Sequence, residues 1–190
     1  MFNGIDATVN VRFGQGLLQG GVSTGARVTD NCFVVDSPQQ KRPGFCHISP
    51  PWSAGTQVKF SGFYPLPWDL QTSVSYQNLP GLPILATHVF TSADIRSSLG
   101  RNLAAGPNGT ALIDLIEPNT VFEDRLNQLD IRLTKLFRIR GARVQGNFDI
   151  YNVLNGSAIL AENARFGPTW LQPTQILSAR TFKFGAQLNF

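Results

Sequence analysis

Hydrophobic and polar residues alternate with a period of two along seven stretches of the chain. Successive side chains of a β-strand point to opposite faces, so each stretch predicts a strand with one apolar and one polar face. In the last stretch, for example, Phe182, Phe184 and Leu188 alternate with Lys183 and Gln187. The seven predicted strands are Gly4–Phe13, Leu17–Val28, Thr56–Leu66, Leu70–Gln77, Leu126–Phe137, Arg143–Leu154 and Arg180–Phe190.

The connections between the predicted strands alternate between short and long. In an antiparallel meander this order brings every short turn to one end of the sheet and every long loop to the other. Bacterial outer-membrane barrels sort their connections in this way, with short turns in the periplasm and long loops outside. The short connections are Gly14–Gly16, Pro65–Asp69 and Arg138–Ala142, and the long ones are Thr29–Gly55, Asn78–Asp124 and Asn155–Thr174.

Charged residues lie almost entirely on the polar faces of the predicted strands. The exceptions, Lys135 and Arg180, lie near strand ends, where a long side chain can reach a membrane–water interface. This distribution favours an apolar face in lipid and a polar face along a wet interior. A soluble sandwich or lipocalin-like barrel with the apolar face inside is the alternative. The polar-face charges are Asp6, Arg12, Lys59, Asp130, Arg132, Arg143, Asp149 and Lys183.

Five aromatic residues fall at the short-turn end of the predicted sheet: Phe13, Tyr64, Trp68, Phe137 and Phe190. Aromatic girdles flank the apolar band of membrane barrels, so these residues predict an interfacial girdle. Aromatic residues of an ordinary core are the alternative. We therefore expect an all-β fold, an antiparallel meander of about seven transmembrane strands within a larger outer-membrane barrel.

Composition agrees with this expectation. The chain has 190 residues, enough for one domain, and only 15% of them are charged, against roughly 25% in soluble domains. No stretch approaches the roughly 18 apolar residues of a membrane helix. The net charge of +4 comes from basic residues scattered along the chain, which argues against a nucleic-acid partner.

No motif for catalysis or cofactor binding is recognisable, so we expect neither an enzyme nor a bound cofactor or metal. The only histidines, His47 and His88, lie in different long connections. Trp52, His47 and Trp170 are candidate ligand contacts, and for each of them a solvated loop residue is the simpler interpretation.

Cys32 and Cys46 lie in one polar connection and form no CxxC motif. This spacing predicts a loop-closing disulfide in an oxidising compartment, with two free thiols as the alternative.

Three separated motifs carry a family resemblance. They are RLNQLDIRLTK (Arg125–Lys135), VQGNFDIYNVLN (Val144–Asn155) and PTQILSARTFKFGAQLNF (Pro173–Phe190), and DNCFVVDSPQQ (Asp30–Gln40) and YPLPW (Tyr64–Trp68) fit the same group. Together they resemble the C-terminal barrel end of TonB-dependent outer-membrane receptors. Within that family the chain is most similar to Oar-like receptors, which carry an N-terminal carboxypeptidase-regulatory-like domain.

The resemblance implies a barrel of about 22 strands around a plug domain, preceded by a TonB box. Residues 1–190 would form about the last third of that barrel, without the plug or the box. No secretory signal precedes the first predicted strand, and seven strands is an odd number, so we expect the chain to begin partway through a longer protein.

The implied partners are outer-membrane lipid, the remaining barrel strands and plug, TonB through the missing N-terminal part, and a small-molecule ligand. The barrel-assembly machinery would recognise the C-terminal residues Phe184, Leu188 and Phe190. The expected function is energy-coupled uptake of a bulky nutrient (a siderophore, saccharide or peptide) at the bacterial cell outer membrane. An Oar-like adhesion or scaffold protein without transport, and a soluble lipocalin-like carrier, are the alternatives.

We predict that removing Phe190, or replacing it with a charged residue, impairs membrane insertion of the parent protein while its synthesis continues. The reason is that the assembly machinery would no longer recognise the C-terminal strand. Outer-membrane levels of the variant, compared with total protein, test this prediction. Unchanged membrane levels would show that the terminal phenylalanine is dispensable.

Overall fold

The computed structural model describes residues 1–37, 40–139 and 142–189. Strands dominate these residues, and the two helices are α1 (Trp52–Gly55) and α2 (Ser92–Leu99). Neither helix reaches the length and hydrophobicity that a membrane-spanning helix needs, and the described residues contain no other candidate. The strands are β1 (Phe2–Phe13), β2 (Gly16–Arg27), β3 (Thr29–Asp30), β4 (His47–Ile48), β5 (Gln57–Leu66), β6 (Leu70–Leu79), β7 (Thr87–Thr91), β8 (Thr110–Asp114), β9 (Leu126–Ile139), β10 (Ala142–Tyr151), β11 (Ile159–Glu162), β12 (Pro173–Ile176) and β13 (Thr181–Asn189).

Seven long strands form one antiparallel sheet in the order β1-β2-β5-β6-β9-β10-β13. The predicted all-β fold and its antiparallel meander are confirmed, and strand ends differ from the prediction by a few residues. The sixth predicted strand was three residues too long, because β10 ends at Tyr151 and Asn152 adopts a left-handed φ of 51°. The meander brings the short turns to one end of the sheet, the short-turn end, and the long connections to the other, the loop end.

Small hairpins occur inside the long connections, where the alternation pattern assigned no strand. β3 pairs with β4, β7 with β8, and β11 with β12, each in a separate two-stranded sheet at the loop end. These strands are two to five residues long. Alternation over so few residues cannot be distinguished from chance, which is why the pattern did not reveal them.

The register of the large sheet separates its side chains into two faces. Directly paired residues share a face, and the ladders run without a bulge, so the alternation of each strand stays in step with its neighbours. Val74, for example, pairs with Gly62 and Ile131, and all three lie on the apolar face. Every charged residue of the seven strands except Lys135 lies on the polar face.

The described residues contain almost no conventional hydrophobic core. Only Cys46 and Ala86 among them are buried hydrophobic residues. Large side chains of the apolar face are instead exposed, including those of Ile5, Val74 and Phe184. Because the sheet is a single layer, nothing within the described part of the chain covers this face.

Asn152 joins the end of β10 to the third long connection, residues 152–180. Its Nδ2 donates to the carbonyl oxygens of Gly156 (2.9 Å) and Ser178 (2.8 Å), and its Oδ1 accepts the Gly156 amide at 3.0 Å. The residue is only 2% exposed. Asparagine tolerates the left-handed conformation found here, so one residue both ends the strand and fixes the path of the loop.

We predict that Asn152→Ala lowers the free energy of unfolding by about 1–3 kcal/mol, because two carbonyl oxygens and one amide lose the partly buried hydrogen bonds that Asn152 makes with them. Denaturant titration of the folded protein measures this change. The matched control is Asn10→Ala, which replaces an exposed asparagine on β1 and should change stability little. Equal effects of the two substitutions would show that the hydrogen bonds of Asn152 do not stabilise the fold.

Candidate functional site

The centre of the polar face is organised by an ion pair between β9 and β10. Arg132 Nε donates to Asp149 Oδ1 at 2.5 Å and Arg132 Nη2 donates to Asp149 Oδ2 at 3.1 Å. The Tyr151 hydroxyl donates to the same carboxylate at 3.3 Å. Asp149 is only 3% exposed, so this forked pair supplies the charge compensation that a buried carboxylate requires.

Amide and hydroxyl side chains extend this network along the polar face. Thr134 donates to Asn147 Oδ1 at 2.8 Å, on the short-turn side of the ion pair. On the loop side, Gln128 donates to both oxygens of Asp130. The backbone N–H of Asn152 also donates to Asp130 Oδ1, at 2.8 Å. The polar groups of β9 and β10 are thereby held in fixed orientations.

A shallow cleft of about 410 Å³ lies over this part of the polar face. Its lining is mixed, because Leu17 and Phe63 lie beside its hydroxyl and amide groups and the paired arginine and aspartate. The main polar-face side chains that line it are Gln19, Ser61, Phe63, Ser73, Ser75, Asp130, Arg132, Asp149 and Tyr151.

The predicted girdle residues lie at the short-turn end. Phe13 and Tyr64 stack with ring centroids 5.5 Å apart. Gly16 lies between them, and a Cβ there would come within 2.5 Å of the Tyr64 ring, so only glycine leaves room for the stack. Trp68 is 82% exposed in the β5–β6 turn.

Phe137 lies at the same end of the apolar face. The Lys135 ammonium lies over its ring, 5.8 Å from the ring centroid, in a cation–π contact. That ammonium also donates to the Trp68 carbonyl oxygen. The one charge on the apolar face is thus directed towards the short-turn end, as predicted for Lys135. The fifth predicted girdle residue, Phe190, lies outside the described residues.

Two of the predicted assembly-signal residues, Phe184 and Leu188, lie on the apolar face of β13. Phe184 is 78% exposed and stacks on Phe148 of β10 at 4.9 Å between ring centroids. Leu188 pairs with Val144. Both side chains therefore belong to the uncovered apolar surface, and the third signal residue, Phe190, is not described.

The predicted disulfide between Cys32 and Cys46 is confirmed, and it closes the first long connection. Beside it, the Asp30 carboxylate pairs with His47 Nδ1 at 3.0 Å and accepts the Cys32 amide. These two hydrogen bonds, that from His47 above all, lower the pKa of Asp30. His47 thus has a structural partner across the β3–β4 hairpin.

Arg125 connects the first long connection to the second. Its guanidinium donates to Asn78 Oδ1 at 2.9 and 2.7 Å, to the Ser53 carbonyl oxygen at 2.9 Å and to the Thr56 carbonyl oxygen at 2.6 Å. Trp52, a predicted ligand contact, begins the short helix α1 that this arginine holds in place. Arg125 thereby holds the end of the second connection against the first.

Trp170, the third predicted ligand contact, lies in the third long connection, and its Nε1 donates to the Leu85 carbonyl oxygen at 2.9 Å. The three predicted contacts thus lie on two connections, with Trp52 and His47 on the first and Trp170 on the third. The sequence pattern did not single out His88, which lies on β7 and contacts the Phe90 and Phe166 rings. The two-residue spacing of His88 and Phe90 was the available signal, since it places both on one face of a strand.

Glu162 on β11 is the described acidic residue with a raised pKa. Burial of its carboxylate is the main cause, and the neighbouring Glu123 carboxylate adds to it. Both Glu162 oxygens are inaccessible and have no hydrogen-bond partner among the described residues.

The described residues contain no cluster of three or more histidine, cysteine or acidic side chains that could hold a metal ion.

No protein-family model matches the chain, and no curated protein matches its sequence significantly. The two faces of the sheet and its loop end are therefore the features from which we infer a function.

We predict that the third long connection loses stability as pH rises from the ordinary glutamate pKa through the raised pKa of Glu162. The folded state holds this proton more tightly than the unfolded state, so its stability is greatest at low pH and falls as the carboxyl ionises. Glu162→Gln should abolish that loss. Urea unfolding followed by Trp170 fluorescence, with Trp52 and Trp68 replaced by Phe, measures the effect.

The control variant is Glu117→Gln, which replaces an exposed glutamate of the second long connection. If Glu162→Gln shows the same pH dependence as this control, the carboxyl of Glu162 does not govern the stability of the connection.

Proposed function

We propose that the chain forms part of the wall of a bacterial outer-membrane β-barrel of the TonB-dependent receptor type. Its apolar face would contact lipid and its polar face would line the lumen. The parent protein would take up a bulky nutrient by an energy-coupled route. The chain itself would supply wall and loops and perform no catalysis.

The exposed apolar face is the observation that carries this proposal. It spans all seven strands, holds Lys135 as its only charged residue, and has no covering layer in the described part of the chain. In water such a surface would be strongly unfavourable and would cause association, whereas in hydrocarbon it is the expected exterior.

The two ends of the sheet support an orientation. Phe13, Tyr64, Trp68 and Phe137 gather at the short-turn end, and the hairpins and disulfide-closed loop gather at the other. In outer-membrane barrels the short turns face the periplasm, so the loop end would face outside the cell. A disulfide on that side fits an oxidising compartment.

The two edges of the sheet indicate what else the barrel needs. β1 and β13 are the first and last strands of a seven-strand antiparallel meander, so they run in the same direction. An unpaired edge in lipid leaves backbone groups without hydrogen bonds. An antiparallel barrel that contains this sheet therefore requires an odd number of further strands, which gives the even total of bacterial single-chain barrels.

An Oar-like adhesion or scaffold protein would have the same wall and loops, and it differs from a transporter only outside this chain. A soluble lipocalin-like carrier would need the apolar face to enclose a core. The exposure of that face in the described sheet favours the membrane proposal over the carrier.

Trp substitutions at neighbouring positions test which face contacts lipid. Val74 lies on the apolar face in the middle of β6, and Ser75 follows it on the polar face. In bilayers with brominated acyl chains, we expect Val74→Trp to add a strongly quenched fluorescence component. The matched variant Ser75→Trp should add one that is little quenched.

The same preparations are examined for a detergent requirement and for heat-modifiable gel mobility. Equal quenching at the two positions, or a monodisperse protein that stays in solution without detergent, would overturn the membrane proposal.

A further inference from the structure

Four rings from two long connections form an aromatic patch at the loop end. It consists of His88 and Phe90 on β7, and Phe166 and Trp170 between β11 and β12. The His88 ring meets Phe90 edge-on at 4.5 Å between centroids and Phe166 at 6.4 Å, and Phe166 lies 5.6 Å from Trp170. The rings therefore form one continuous surface.

Backbone hydrogen bonds hold the two halves of the aromatic patch together. The Thr87 amide donates to the Ala164 carbonyl oxygen, and the Phe166 amide donates to the Thr87 carbonyl oxygen, both at 2.8 Å. Trp170 is tied to the first half by its Nε1 bond to Leu85. The arrangement of rings is thus set before any ligand arrives, which reduces the entropy lost on binding.

The aromatic patch combines accessible ring surface with one hydrogen-bonding group that has no partner. Phe166 is 52% exposed. The Trp170 N–H is occupied, so that side chain offers a ligand its apolar ring surface. Neither nitrogen of His88 has a hydrogen-bond partner among the described residues, so the imidazole can donate to or accept from a ligand.

The aromatic patch itself carries no carboxylate that would attract a cation. The nearby Asp94 keeps its negative charge, because hydrogen bonds from Thr91 are the main cause of its lowered pKa, and it also interacts electrostatically with His88. Those hydrogen bonds hold its carboxylate at the N-terminus of helix α2, outside the four rings. An uncharged ligand is therefore favoured over a quaternary ammonium, although ring clusters can hold either. The rings are tilted against one another, by 54° between Phe166 and Trp170, so each presents its own face to a ligand. An exposed ring face beside a single donor and acceptor matches a sugar ring, with its C–H face and its hydroxyl groups.

We propose that the aromatic patch binds an uncharged saccharide, which stacks on Phe166 and Trp170 and hydrogen-bonds to His88. The inference deepens the proposed function, on which it rests, because that function places the patch on the outer surface of a receptor. The patch would then contribute to capture of a saccharide ligand at the cell surface.

Calorimetric titration of the purified full-length protein in detergent tests the saccharide proposal. The probes are maltohexaose, cellohexaose and chitohexaose, with choline as the cationic comparison. We expect at least one hexasaccharide to bind, and Phe166→Ala to weaken it by about tenfold. His88→Phe, which keeps a ring but loses both nitrogens, should weaken binding more than His88→Gln.

Phe33→Ala is the matched control, because Phe33 is an exposed phenylalanine on the disulfide-closed loop, outside the patch. This substitution should leave saccharide affinity unchanged. Heat-modifiable mobility of each variant verifies that it is folded. The proposal is overturned if no hexasaccharide binds, if choline binds more tightly than all three, or if Phe166→Ala and Phe33→Ala behave alike.

The lipid-quenching experiment on Val74→Trp and Ser75→Trp separates this inference from the membrane proposal. Quenching at Val74→Trp without saccharide binding would reject the aromatic patch alone. Saccharide binding that Phe166→Ala weakens, in a protein without lipid-specific quenching, would support the patch and reject the membrane proposal.

Discussion

The continuous antiparallel register of seven strands is the constraint on which the rest of this structure depends. A shift of one residue in any ladder would turn that strand's charged side chains to the apolar face. The ladders avoid this with direct pairs such as Val74 with Ile131 and Arg132 with Asp149. Separation of polar from apolar side chains is thus a property of the whole sheet, although it arises from the alternation within each strand.

The two faces are stabilised by different physical interactions. On the polar face, hydrogen bonds from Arg132 and Tyr151 stabilise the negative charge of buried Asp149. Asp130 accepts a hydrogen bond from the Asn152 backbone N–H and so fixes the start of the third connection. The apolar face has ring and aliphatic contacts across strands but no second layer. Its stability therefore depends on the surrounding medium, which links the fold directly to the proposed membrane location.

The loop end is more ordered than a set of independent loops. Arg125 ties the first connection to the second, and Thr87 and Trp170 tie the second to the third. These contacts bring His88 and Phe166, which are far apart in sequence, into the aromatic patch. Rigid presentation of side chains on loops above a stable sheet is a common way for proteins to build binding surfaces.

Local alternation was enough to determine the seven long strands, their two faces and the sorting of their connections. These features follow from the two-residue period of a strand, which any stretch of eight or more residues displays clearly. The pairing of Cys32 with Cys46 was also predictable, because the described chain offers each cysteine only one partner. The places of Phe13 and Tyr64 at the short-turn end followed from their distance to the short turns.

Tertiary structure alone decided the contacts between residues that are distant in sequence. The partners of Arg125, the tie between Asn152 and Ser178, and the place of His88 among aromatic rings depend on how three loops fold back on one another. No periodicity encodes such contacts, because each joins isolated residues across a loop rather than neighbours in a repeating ladder. The sequence thus determined the two faces of the sheet, whereas the packing of its connections determined the aromatic patch at the loop end.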